Sequence, residues 1–490
     1  MPENVSFAEI PVDIRTPGQY IEIDNSKAVQ GLPQQERKIL ILGQRLTAGT
    51  VAQQIPTRML NADQAAGYFG RGSQLHGMIA AAKIANPYSD MWAVALDDLL
   101  AGVVATGTIT VTGSPTEAGT IKLYIGGVRL QAGVAAGDTV TVVAASIAAA
   151  INAAADLPVT ATPSVGVVTI TARHKGECGN AIDIRLNYYM GEATPKGVSL
   201  AIVAMASGSG NPNVSNALSA IGNDQYYTIV TPWTDSANMV ALENELGTRW
   251  GPMSQKTGHA FAGLSGTHGT LTTYGAARNS LHSTIVGSGK SPTAPWIWAA
   301  VLASVCEFNG AIDPARPFQT LLLSGLLPPS EKERFTREER NLLLKDGIST
   351  FLVDAGGRVL IERVVTTYQT NAFGIEDISY LDLETKWTVD YIRYAVRARI
   401  ALRFPRYKLA DDGTNFAPGQ AIVTPRVIRA ELLGLFRELE QVGLVEDFDQ
   451  FKADLLVVRS DSDPNRVNAV IPPDIVNQFR VFAAAVQFRL

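Results

Sequence analysis

The last twelve residues, Phe479 to Leu490, read FRVFAAAVQFRL. Phe482, Ala484, Val486, Phe488 and Leu490 alternate with Arg480 at one end and with Gln487 and Arg489 at the other. A period of two predicts a β-strand. A terminal segment frays unless something ties it down, and a strand with an apolar face needs a sheet to join. It joins a sheet of its own chain, or it reaches a neighbour and lengthens that neighbour's sheet through backbone hydrogen bonds. The first case describes a closed globular protein. The second describes a subunit that polymerises.

The rest of the chain must be weighed against that choice. At 490 residues it is too long for one core, so two or three domains are expected. Apolar residues at 46% against 18% charged predict folded rather than disordered structure. A net charge of -5 argues against a general nucleic-acid binder. Cys178 and Cys306 fit neither a disulfide framework nor a metal spacing. The N-terminus lacks a basic stretch followed by an apolar run, and Asp97 and Asp98 interrupt the apolar stretch from Met91 to Val111. Neither a signal peptide nor a membrane span is therefore expected, and the reading is a chain folded in a cytoplasm.

The pattern along the chain divides it into six parts. Residues 1–25 form an arm: Ile10, Val12 and Ile14, then Ile21 and Ile23, alternate around Pro11 and Pro17, which suits edge strands or an extended segment. Residues 26–100 open an α/β domain with buried strands at Lys38–Gly43 and Met91–Leu96 and a helix over 63–84 interrupted near Gly70 and Gly72. Residues 101–200 turn rich in Thr, Val, Gly and Ala, with a hairpin signal at Gly126-Gly127 and one helix over 139–154. They predict an inserted, mostly β domain, with Ser207–Pro212 as a hinge back. Residues 201–313 resume the α/β pattern. Residues 314–470 predict an α+β C-terminal domain. Its signals are a capping box at Thr336 and Glu339, a hairpin over 350–367, a helix over 385–402, and a helix with Thr424 as N-cap and Pro425 at its first position. Residues 471–490 form the closing arm. The expected fold class is an α/β core, a split and mostly parallel sheet with flanking helices, carrying the insertion, the C-terminal domain and two arms.

Chemistry-bearing motifs are weak. Gly287-Ser288-Gly289-Lys290-Ser291 resembles the end of a phosphate-binding loop, but Thr284 stands where that pattern needs glycine and Pro292 follows at once. His76, His174, His259, His268 and His282 have no metal-ligand spacing. Ser265 fails the nucleophile-elbow pattern, and Gly70-Arg71-Gly72 lacks the third glycine of a dinucleotide fingerprint. No catalytic, cofactor or metal site is expected. The run Arg393, Arg397, Arg399, Arg403 and Arg406 suits a solvated or ion-paired face, or an interface with an acidic partner. Arg426, Arg429 and Arg437 lie opposite the apolar stripe of the helix after Thr424, a candidate polar interface between subunits.

Arg15-Thr16-Pro17-Gly18-Gln19-Tyr20, the stretch from Asn341 to Thr367, the helix from Leu381 to Pro405 and the closing strand, in that order, resemble the tail sheath proteins of contractile phage tails, above all those of Mu-like phages. The resemblance implies a structural polymer rather than an enzyme. Hexameric rings stack helically around a tail tube, an outward domain is inserted, and baseplate and tail terminator proteins are further partners. It implies no cofactor, no nucleic acid and no membrane insertion, with assembly in the host cytoplasm and residence in the virion. It also implies arms that add strands to neighbours: Ile10, Val12, Ile14, Tyr20, Ile21 and Ile23 at one end, and Phe479, Val481, Phe482, Val486, Phe488 and Leu490 at the other. Pro17, Gly18, Pro472 and Pro473 suit hinges, and the hairpin with Phe351, Val353, Val359 and Ile361 is the expected acceptor. A twelve-residue strand spans about 40 Å, enough to reach a neighbour. Two other classes stay open at this stage: an α/β enzyme with an inserted lid, and another self-assembling virion protein. A tailocin or injection-system sheath reads the same way.

Overall fold

The structure, a computed structural model, describes residues 15–21, 32–417 and 419–489. Ile10, Val12, Ile14, Ile23 and Leu490 lie outside the described residues. From Arg37 to Lys386 the chain forms one compact unit, and the described residues before and after it belong to a second.

The first unit begins with β1 (Lys38–Gln44), β2 (Thr57–Met59), α1 (Ala62–Phe69), α2 (Gln74–Ala85) and β3 (Asp90–Leu96). Ile39 to Leu42 are all fully buried, because parallel neighbours flank β1 and helices cover the sheet. The predicted interrupted helix is two helices. Gly70 and Gly72 take φ of 87° and 79° between them, and Asn61 and Ser73 cap the two starts.

The chain then leaves through β4 (Val104–Gly113), β5 (Gly119–Ile125), β6 (Val128–Val134), α3 (Val140–Ala153), β7 (Val159–Ser164), β8 (Val167–Lys175), β9 (Ile184–Leu186) and β10 (Val198–Ala206). These make two antiparallel sheets, ordered β10-β4-β8-β7 and β6-β5-β9. Gly126 and Gly127, at φ of 57° and 87°, turn the β5–β6 hairpin as the sequence signals. The segment Ser207–Pro212 is not a loose hinge. Val103 and Ser209 exchange backbone hydrogen bonds of 2.8 and 3.1 Å, and Asn180 bonds both backbone groups of Gly208.

On its return the chain adds α4 (Val214–Ile221), β11 (Thr228–Val230), α5 (Ser236–Trp250), β12 (His259–Ser265), α6 (His268–Ala276), β13 (Ser283–Gly289), α7 (Pro295–Ile312), α8 (Arg337–Lys345), β14 (Ile348–Val353) and β15 (Val359–Arg363). The main sheet runs β15-β14-β13-β12-β11-β1-β3-β2, parallel except for β2 and β15 at its two ends. The α7 helix is apolar and long enough by composition to cross a bilayer. It is instead a core helix, with Trp298, Ala299, Ala300 and Cys306 fully buried. Thr336 and Glu339 form the expected reciprocal capping box of α8.

In the second unit α9 (Leu383–Arg403) is followed by β16 (Lys408–Leu409), β17 (Ile422–Val423), α10 (Pro425–Gln441), β18 (Val445–Glu446), α11 (Phe448–Asp454), β19 (Leu456–Arg459), β20 (Val467–Val470) and β21 (Asp474–Ile475). Its core is the apolar stripe of α10: Leu432, Leu435, Phe436 and Leu439 are buried, and Phe436 stacks on Phe451 at 4.0 Å between ring centroids. Among the described residues every sheet here has two strands.

Candidate functional site

Among the described residues, the segment after Val476 makes no ladder. The last pairing is β21 on β18, Val445 opposite Ile475, followed by one bond from the Val476 amide to the Leu444 carbonyl. From there to residue 489 no strand is formed. Phe479, Val481, Phe482, Val486 and Phe488 are 73–90% exposed. Exposing that much aromatic and branched surface in a row is unfavourable by about 1.5–3 kcal/mol per side chain relative to burial. Pro472 and Pro473 lie before β21, so the free length starts after Val476 rather than at the prolines.

At the other end, residues 15–21 form neither helix nor strand. Tyr20 Oη donates to the Thr16 carbonyl at 3.1 Å across Pro17 and Gly18, and Ile21 is 87% exposed. The chain next appears on α9: Tyr391 Oη donates to the Pro33 carbonyl at 3.2 Å and Tyr394 Oη to the Gln34 carbonyl at 2.9 Å. Their hydroxyls fix the place where the N-terminal arm leaves.

The expected acceptor hairpin does not have a free edge. Phe351, Val359 and Ile361 are buried, with Val353 partly so. The outer edge of β15 is already bonded by its own chain, with Thr320 and Leu323 amides on the Ile361 and Val359 carbonyls and the Ile361 amide on the Leu321 carbonyl. A neighbour's strand would have to displace those bonds. The alternating residues of this hairpin signal core packing.

The β19–β20 hairpin has the properties that β14–β15 lacks. It pairs Leu456 with Val470 and Arg459 with Val467, and no third strand joins either side among the described residues. The α10 helix packs against β19. Leu456, Val458 and Val470 remain 42–59% exposed. A lone two-stranded ribbon is marginal in water, and its unpaired edges invite another strand. The signal was present in sequence as two short branched runs around Ser460-Asp461-Ser462-Asp463-Pro464-Asn465.

Comparison with known proteins decides what kind of chain this is. Residues 207–367 match the phage tail sheath protein central domain, and residues 376–489 match the phage tail sheath C-terminal domain. The Mu-like prophage FluMu tail sheath protein of Haemophilus influenzae is 45% identical over 487 residues, covering 99% of this chain and all of that protein. The chain belongs to the phage tail sheath family. Sheath proteins of this family are structural, and this sheath subunit is not an enzyme. The solved sheath tail protein of Listeria innocua has a similar fold, with a TM-score of 0.51 at 12% identity over 92% of this chain and 94% of that one. The sheath tail protein of Desulfitobacterium hafniense gives a TM-score of 0.49 at 14% identity, covering 94% and 100%.

The arginines of the sheath subunit divide by what they touch. Arg429 donates through Nε to the Leu455 carbonyl at 3.3 Å and through its other end to Lys452. Arg437 lies 3.3 Å over the Phe448 ring and pairs with Glu440 at 2.7 Å. Both bond within the second unit, Arg429 half-buried and Arg437 exposed. Arg393 sits 3.7 Å from Asp390. Arg397 and Arg426 are exposed. Arg399, which the sequence reading left inside the run, is buried and forks between Glu431, at 2.9 Å, and Glu438, joining α9 to α10. The Gly287–Ser291 turn closes β13, with Lys290 3.8 Å from Glu333. Among the described residues no group of histidines, cysteines and carboxylates is placed to hold a metal. His259 and His282 are buried side chains of the core.

Proposed function

We propose that this sheath subunit polymerises as stacked rings of six around a tail tube and contracts to drive that tube through a host envelope. The arms at residues 1–25 and 471–490 link the subunits by adding strands to their neighbours. One observation supports this reading above the others. Among the described residues, the segment after Val476 exposes a row of apolar side chains and has no strand partner, while the β19–β20 ribbon offers unpaired edges. Backbone pairing supplies the link, and alternate apolar side chains supply register. We place the acceptor at β19–β20 rather than at the buried β14–β15 hairpin. Baseplate, tail tube and terminator proteins are the further partners on this reading, and the virion tail is where the subunit resides.

Contraction on this scheme needs no nucleotide. The compact units move as bodies while the strand links persist, and free energy comes from interfaces that improve in the contracted state. The test is electron microscopy of the purified full chain beside a chain lacking residues 479–490. Hollow striated tubes or stacked rings are expected from the first. From the second, a folded subunit without tubes is expected. Normal tubes from the shortened chain would overturn the arm assignment.

A further inference from the structure

The loop between the Gly347-to-Thr367 region and α9 is a rigid apolar knob. Asn371 organises it. Its side-chain oxygen accepts the Phe373 and Ile375 amides at 2.9 and 3.2 Å, its own amide donates to the Ile375 carbonyl at 2.9 Å, and Gly374 turns at φ of 73°. Asn279 holds the base, donating to Thr370 and accepting the Gln369 amide at 2.8 Å. On this fixed tip Phe373 is 87%, Ile375 62% and Ile378 72% exposed. A surface loop that orders its backbone this fully while presenting three apolar side chains is built to contact something. Glu376 beside them carries no ion pair among the described residues.

A matching socket lies elsewhere in the same unit. A cavity of about 290 Å³ is lined by Gly287, Phe335, Thr350, Phe351, Leu352 and Val353 together with Arg334 and Arg340. Arg340 is committed to Glu362 at 2.8 Å, whereas Arg334 has no ion pair among the described residues. Apolar walls with a cation at the side complement an aromatic tip with an anion beside it.

The two features sit at opposite ends of the main sheet. Thr367, at the root of the knob, donates to the carbonyl of Ser283, the first residue of β13. The socket is formed by Gly287 near the end of β13 and by β14 residues beyond its pairing with that strand. Roughly 20 Å of strand separates them, so one chain cannot satisfy its own socket. A knob and socket on different faces of one molecule give a head-to-tail contact that propagates rather than closes.

We propose that the Phe373 knob of one subunit docks in the Phe335–Phe351 socket of a second copy. This forms a side-chain contact separate from the strand links, and it rests on the polymer reading above. The test uses the full chain. Phe373→Cys chains are mixed with Leu352→Cys chains and treated with a short bis-maleimide, with the wild type as background for Cys178 and Cys306. The same mixture is made in a Phe482→Asp, Phe488→Asp background that disables the arm. Adducts that require both cysteines, in both backgrounds, are expected. Tubes that form with no such adduct would overturn the knob while leaving the arms standing. Adducts from wild-type-armed chains that never form tubes would instead count against the arm scheme. Phe373→Asp should raise the concentration needed for assembly about tenfold. Arg334→Glu and Glu376→Arg should each impair assembly and together restore it. Lack of rescue, with each variant melting like the wild type, would count against the pairing.

Discussion

His259 shows how one buried side chain sets a response to acid. It is fully buried on β12, with Nε2 2.9 Å from Thr284 Oγ1. Burial first, then the Lys386 cation and His282, hold its pKa well below the usual histidine value. Unfolded, it would take a proton near pH 6.5. The unfolded state therefore binds more protons below that pH, and stability falls as pH drops through about 6.5 and onward. Thermal melts between pH 7.5 and 5 should show this loss, and His259→Gln should flatten the slope whatever it does to the absolute melting temperature. An unchanged slope would place the response elsewhere. Arg399 makes the second residue-scale prediction. Replacing it with Ala strands Glu438, leaves Glu431 with Arg403 alone at 3.3 Å, and should cost about 2 kcal/mol in denaturant unfolding, between exposed and buried ion-pair values. Neither residue stood out in sequence, where His259 was one of five histidines and Arg399 one member of a basic run, because burial belongs to the tertiary structure.

Elements were legible where local chemistry decides them. The KILILG strand, the α8 capping box and the Pro425 start of α10 each follow from side chains within a few residues. The α7 helix has no side-chain cap, since Ala294 stands at its N-cap, and with only Pro295 at its first position to mark its start it escaped the sequence reading. Its fit depends on Gly263, where an added Cβ would lie 2.0 Å from the Pro295 carbonyl oxygen. Gly263→Ala should push α7 from β12 and lower stability by about 3 kcal/mol, the upper range for overpacking, readable as a fall in melting temperature. The occupied edge of the β14–β15 hairpin was invisible for a related reason. Alternation marks a strand with one buried face, but it cannot say whether the backbone edge is taken, and the loop over 320–323 takes it. The two tyrosine hydroxyls on α9 make a finer case. Tyr391→Phe with Tyr394→Phe should leave the helix intact and loosen residues 32–36, seen as faster amide hydrogen exchange there.

For the whole molecule, order of parts proved more legible than any site. No single motif is specific, and the resemblance came from several moderate ones taken in order along the chain. What stayed hidden were the surfaces, because pairing between copies leaves no periodicity of its own. Lys290→Ala should leave tube formation unchanged in electron microscopy, since that lysine is half-exposed and only loosely paired with Glu333.

The mutual pair between Val103 and Ser209 has a practical consequence. The insertion departs and returns through two residues already bonded like the closing rung of a hairpin. The detour is thus a cassette with its own stapled seam. An Asn-Gly turn could bridge the seam in its place, and a foreign domain whose ends lie close together could be spliced there, which on the polymer reading would make each subunit a carrier for display.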